Sequence, residues 1–164
     1  AYDSRDNRLT PTDGIYARLG VDMADSVLGS QNVYTRVSGW FRFYRPLFSG
    51  VVFKMNLQGG VVFSHRAQGV PIFERFFLGG IFDVRGYRLR TIAPRLQLPL
   101  SQDPNAALVS NGAVIGGNIQ GYYNLEVEFP ILTAVGLRGV IFSDGGNVFN
   151  SEAQYCGADR KSVV

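Results

Sequence analysis

The sequence predicts an all-β fold: part of an antiparallel transmembrane β-barrel with one long loop folded into it. Three observations predict this. Apolar and polar residues alternate with a period of two over eleven to fifteen residues per element. Ordinary strands average about five or six residues, whereas a tilted strand needs about 9–11 or more to cross a bilayer. No run of about 18 apolar residues occurs, which excludes a spanning helix. Finally, the connections alternate between short and long, as they do when one rim of a barrel carries tight turns and the other carries loops.

The elements follow in order. In 14–24, Ile15, Ala17, Leu19, Val21 and Met23 share one face, opposed by Arg18, Gly20 and Asp22. In 33–45, Val33, Thr35, Val37, Gly39, Phe41 and Phe43 oppose Tyr34, Arg36, Ser38, Trp40, Arg42 and Tyr44. In 50–64, Val51, Phe53, Met55, Leu57, Val61 and Phe63 oppose Lys54, Asn56, Gln58 and Ser64. Two further strands are expected at 118–131 and 136–149, and another starts near Arg160. Full charges on one face opposite apolar side chains on the other suit a wall between a wet lumen and lipid. Short turns are expected at 45–49 and 132–134, and long connections at 24–32 and 65–117. Six to seven strands fall short of the eight or so that closure requires, and an open edge in lipid leaves backbone groups unpaired. The chain is therefore expected to be an internal piece of a larger barrel. The absence of a basic-then-apolar leader at Ala1 to Asp6 fits either that expectation or removal of a signal sequence.

Twenty glycines and twenty-one aromatics among 164 residues suit pleated surfaces, bulges and tight turns. The net charge of +3 is concentrated in 65–117, where six arginines face three acids; the remainder balances at ten and ten. With no Lys/Arg run, nucleic acid is not an expected partner. His65 and Cys156 are single residues of their types, too few for a zinc site, and no nucleophile-elbow pattern accompanies the histidine. The glycine pairs 79–80 and 116–117 lack the lysine and helix of a phosphate loop. Neither an enzyme activity nor a cofactor or metal is expected.

The basic segment contains Pro71-Ile72-Phe73-Glu74-Arg75-Phe76-Phe77-Leu78-Gly79-Gly80 and then Val84-Arg85-Gly86-Tyr87. This F-E-R-F-F-L-G-G-x-x-x-V-R-G-Y run resembles the sixth extracellular loop of the BamA-type outer-membrane protein assembly factors. Asp3-Ser4-Arg5-Asp6-Asn7 with Pro11-Thr12-Asp13-Gly14 resembles that family's turn before a barrel strand. Asn124 to Pro130 and Val140 to Phe149 resemble the two strands after the loop. The resemblance covers nearly all of 1–150.

It implies a sixteen-stranded barrel in the outer membrane of a Gram-negative bacterium, with periplasmic POTRA domains ahead of it. This chain would hold about six to seven of those strands. The implied activity is non-enzymatic folding and insertion of β-barrel proteins. The bilayer, unfolded outer-membrane protein clients and accessory assembly lipoproteins would be the partners. A two-partner-secretion pore and a TamA-like factor share V-R-G-F/Y; a passive porin and a soluble β-sandwich are further alternatives. The family's motif arginine docks on the inner barrel wall, which carries over to Arg85.

Strand parity puts Glu126, Glu128 and Asp144 on the lumen side, where a planar fork of donors would meet them. Glu128 and Asp144 are the expected partners of Arg85, with Glu126 the third wall acid. Gly79, Gly80 and Gly86 would let the loop bend tightly. Plainer readings stand beside these. Arg85 as a solvated loop arginine, Glu126 and Glu128 as solubilising wall charges, and 144–147 as a bulge all fit the pattern. Tyr34, Trp40 and Tyr44 read as lumen filler, and Phe73, Phe76 and Phe77 as packing within the loop.

Overall fold

The computed structural model describes residues 1–28, 30, 32–64, 69–96, 98–99, 108–109 and 112–151. The strand start expected near 160, His65 and Cys156 lie outside these residues. Six strands build one antiparallel sheet: β1 (Tyr2–Asp3), β2 (Gly14–Ala24), β3 (Tyr34–Phe48), β4 (Val51–Phe63), β7 (Ile119–Leu132) and β8 (Leu137–Phe149). Among the described residues their order across the sheet is β1-β2-β3-β4-β7-β8, with β1 and β8 at its edges. Between β4 and β7 the chain makes a long excursion containing the small pair β5 (Leu98–Pro99) and β6 (Leu108–Val109). All of this is the all-β, open-sheet portion of a barrel that the periodicity predicts.

Strand boundaries differ from expectation at one place. Residues 45–49 do not form the turn; β3 continues through Pro46 to Phe48, and the chain reverses at Ser49-Gly50, both with positive φ. Such two-residue turns match the twist of a hairpin. Pro46 is tolerated because the register shifts between Pro46 and Phe48, an irregularity at the rim where a missing donor costs little.

Between the irregular rims the register is unbroken, so parity holds across five strands. Tyr16 lies opposite Arg42, Arg42 opposite Asn56, Asn56 opposite Asn124, and Asn124 opposite Asp144. Every even-numbered residue therefore shares one face. The other face is apolar and uncovered: Leu19, Val21, Met23 and Ile141 are all more than half exposed. An apolar band of this extent is ill-suited to water and well suited to lipid.

The buried core lies on the even face, beneath the excursion. Val62, Tyr122 and Val148 from the wall pack against Val70, Phe76, Leu78 and Val84 from the loop. Phe77 is half-buried, whereas Phe73 is exposed and takes no part in this packing. The loop braces itself through backbone pairs. Phe76 and Gly117 exchange both hydrogen bonds at 2.8 and 3.0 Å, and Leu78 and Ile92 do so at 3.0 Å. The loop is thus a folded plug with an apolar underside.

Candidate functional site: a loop docked on the inner wall

Val84, Arg85, Gly86 and Tyr87 sit at the tip of the plug. Val84 is 3% exposed and anchors the tip in the core, while Tyr87 points outward and is largely exposed. Gly86 has φ +89°, a conformation that suits glycine. Gly79, at φ +108°, lies where a Cβ would come within 2.5 Å of the Arg88 carbonyl, and Gly80 follows it beside Leu89. The chain can therefore double back through 79–90 only with a bare backbone at Gly79.

This turn delivers the Arg85 side chain to β7 and β8. Its Nε donates to Asp144 Oδ2 at 2.6 Å and its Nη2 to Asp144 Oδ1 at 2.7 Å, a two-pronged fork on one carboxylate. Nη1 donates to Glu126 Oε1 at 2.6 Å, and the Arg85 backbone N–H reaches Asp144 Oδ2 at 3.1 Å. The guanidinium lies 3.8 Å from the centroid of the Phe142 ring. Hydrogen bonding to Asp144 first, and to Glu126 after it, outweighs burial and holds the guanidinium above its ordinary value. One wall-facing cation is thus flanked by two carboxylates and backed by an aromatic face.

Glu128 is not part of this set, a correction to the expected pairing. It lies on the same face but nearer the short-turn rim, where Lys54 on β4 and Arg138 on β8 both form ion pairs with it. Parity specifies which face a side chain occupies; height along the barrel axis selects its partner, and Glu128 lies against Lys54 and Arg138 rather than Arg85. Phe142 and Asn124 were missed as contributors. Both have the even parity of Asp144, and Phe142 lies directly opposite Glu126, which was the available signal.

Asn124 extends the contact. Its Nδ2 donates to the Asp83 carbonyl at 2.6 Å, its Oδ1 accepts from Asn56 Nδ2 at 2.7 Å, and Asn56 Oδ1 accepts from Arg42 Nε at 3.3 Å. The tip is therefore tied to four strands of wall. Burial pushes the neighbouring Asp83 carboxyl up, with Tyr122 partly opposing the shift. A carboxyl whose docked pKa exceeds its undocked value favours docking at low pH and weakens it as pH rises through the docked pKa. Asp83→Asn is expected to tighten the docked loop at neutral pH and to flatten that pH dependence. Proteolytic protection of the loop, measured from the carboxylate range to pH 8, checks this; an unchanged slope counts against it.

Among the described residues no cluster of three metal-ligating side chains occurs.

The Omp85 superfamily domain model matches residues 1–163. Over 163 residues the chain is 31% identical to the outer membrane protein assembly factor BamA of Nitratidesulfovibrio vulgaris, covering 98% of this chain and 19% of that protein. It is 27% identical over 151 residues to the BamA of Neisseria meningitidis serogroup B, covering 90% of this chain and 18% of that protein. The crystal structure of BamA from Haemophilus ducreyi lacking POTRA domains 1-3 superposes with a TM-score of 0.76 at 25% identity, over 92% of this chain and 29% of that one. The chain spans about a fifth of the length of these two curated relatives. With the match running from one end of the sheet to the other, the chain belongs to the Omp85 superfamily and is a stretch of bacterial outer-membrane β-barrel.

Proposed function

We propose that the chain is the plug-bearing part of an outer-membrane protein assembly factor, which folds β-barrel clients and inserts them into the outer membrane without covalent chemistry. Unfolded outer-membrane proteins, the bilayer and accessory assembly lipoproteins are its partners in this reading. The observation that carries it is the long loop seated on the inner wall by Arg85, Asp144 and Glu126, in a chain whose relatives are named as assembly factors. Arg85 acts as the latch that fixes where the loop tip rests, and the seated loop steadies the wall while clients assemble.

The test uses the full-length protein reconstituted in lipid vesicles with a urea-unfolded outer-membrane protein as client. The folding half-time of the client is expected to fall several-fold relative to empty vesicles. Steady ion current with no acceleration of folding would overturn the reading in favour of a passive channel.

A further inference from the structure

We propose that Arg36 is a second, exchangeable latch that holds the stem of the loop through Glu74 and passes to Asp22 when the stem lifts. The inference goes beyond the assembly reading and rests only on the docked loop. Arg36 stands on the inner face of β3, near the long-loop rim. Its Nη2 lies 3.0 Å from Glu74 Oε2 and also donates to the Glu74 carbonyl. Its guanidinium carbon lies 5.2 Å from the Phe76 ring centroid. That ring rests on Gly60, where a Cβ would come within 2.9 Å of it, so the wall is hollowed to seat the stem. The Tyr34 hydroxyl adjoins Glu74 from the same strand.

Two features make this latch unlike the one at Arg85. Its grip is incomplete: among the described residues Arg36 Nε is buried without a hydrogen-bond partner, whereas three nitrogens of the Arg85 guanidinium are each matched to a carboxylate oxygen. A buried donor left unsatisfied weakens the docked state. The second feature is a waiting acceptor. Asp22 on β2 is directly opposite Arg36 in the register and shares its face, yet it makes no ion pair among the described residues. Cross-strand neighbours of this kind stand about 4.5–5.5 Å apart at Cβ, within reach of a swivelling guanidinium. Arg36 therefore has two carboxylates and one charge to give. Docking of the stem takes it from Asp22, and release returns it.

The consequence is an order of opening, with the stem lifting at Arg36 while the tip stays on Asp144. Hydrogen–deuterium exchange on the full-length protein in detergent micelles separates the possibilities. The reporters are the stem amide of Phe76, bonded to Gly117 at the entry to β7, and the tip amide of Arg85 on Asp144. Asp22→Asn removes the acceptor of the open state and is expected to slow stem exchange about two- to fivefold, the range of a cross-strand charge pair. Glu74→Gln is expected to speed stem exchange by about tenfold or more while leaving the tip unchanged. Stem exchange that is unchanged or faster in Asp22→Asn overturns the exchange of partners. Stem and tip opening together in Glu74→Gln overturns the two-latch arrangement. Both readouts are independent of client folding: a protein inert in the vesicle assay yet behaving this way would refute the assembly reading and leave the latch standing.

Discussion

Replacing Arg85 by alanine in the full-length protein is expected to free the loop tip, destabilising its docked state by about 2–4 kcal/mol. The figure sits below that for a fully buried pair because the Arg85 side chain keeps about a quarter of its surface in solvent. Most of the cost comes from what is left behind. Asp144, whose side chain is 2% exposed, would face Glu126 with no cation between them. Arg85→Lys retains the charge but not the planar fork and should fall between wild type and alanine. Removing the stranded charge as well should recover part of the loss, so Arg85→Ala/Asp144→Asn is expected to be milder than the sum of its single changes. Protease sensitivity of the segment around 81–90 is the measurement. Unchanged protection in Arg85→Ala would remove the latch from the account.

The apolar underside sets a limit on that effect. Val70, Phe76, Leu78 and Val84 are each worth about 1.5–3 kcal/mol when removed from water, which together exceeds one partly solvated ion pair. Packing therefore keeps the plug in the barrel, and Arg85 decides where its tip lands. Loss of the arginine should loosen the tip without expelling the loop.

The fold was legible because its signal is local. A two-residue period along 14–24 or 119–132 declares a strand and its faces without knowledge of any other strand. Arg85 was legible for a different reason: it sits in a run of residues whose resemblance to one family is dense. What escaped was anything that depends on height along the barrel axis. Glu126 and Glu128 share a face, and the register sets Lys54 opposite Glu126 and Val140 opposite Glu128; only the side chains reaching diagonally across it show that Lys54 and Arg138 both pair with Glu128. The plug's core was equally hidden. Val70, Leu78 and Val84 have no regular spacing, and they find Val62 and Val148 only after the loop has folded back over the sheet. Pro46 misled in the opposite direction, reading as a breaker where a rim irregularity absorbs it.

Leu19→Arg is expected to be among the most damaging single changes in the sheet, although it alters an uncovered side chain. Leu19 lies at the middle of β2 on the odd face and is 73% exposed. On a soluble sheet, a charge at so open a position would change stability by no more than about 0.5 kcal/mol. At the midplane of a bilayer, an arginine on the lipid face of a barrel costs about 2–4 kcal/mol. The adjacent position supplies the control. Arg18 is already a cation one residue away, on the lumen face, with its guanidinium carbon 5.2 Å from the Trp40 ring centroid. Arg18→Leu should forfeit only that contact, about 0.5–1 kcal/mol. Urea unfolding of the full-length barrel in vesicles, followed by tryptophan fluorescence, compares the two. A shift of one residue exchanges the solvent that a side chain meets, so the contrast between neighbours carries more information than either value alone. A tolerated Leu19→Arg would mean that the odd face does not meet hydrocarbon, and the reading of the sheet as a membrane wall would fall with it.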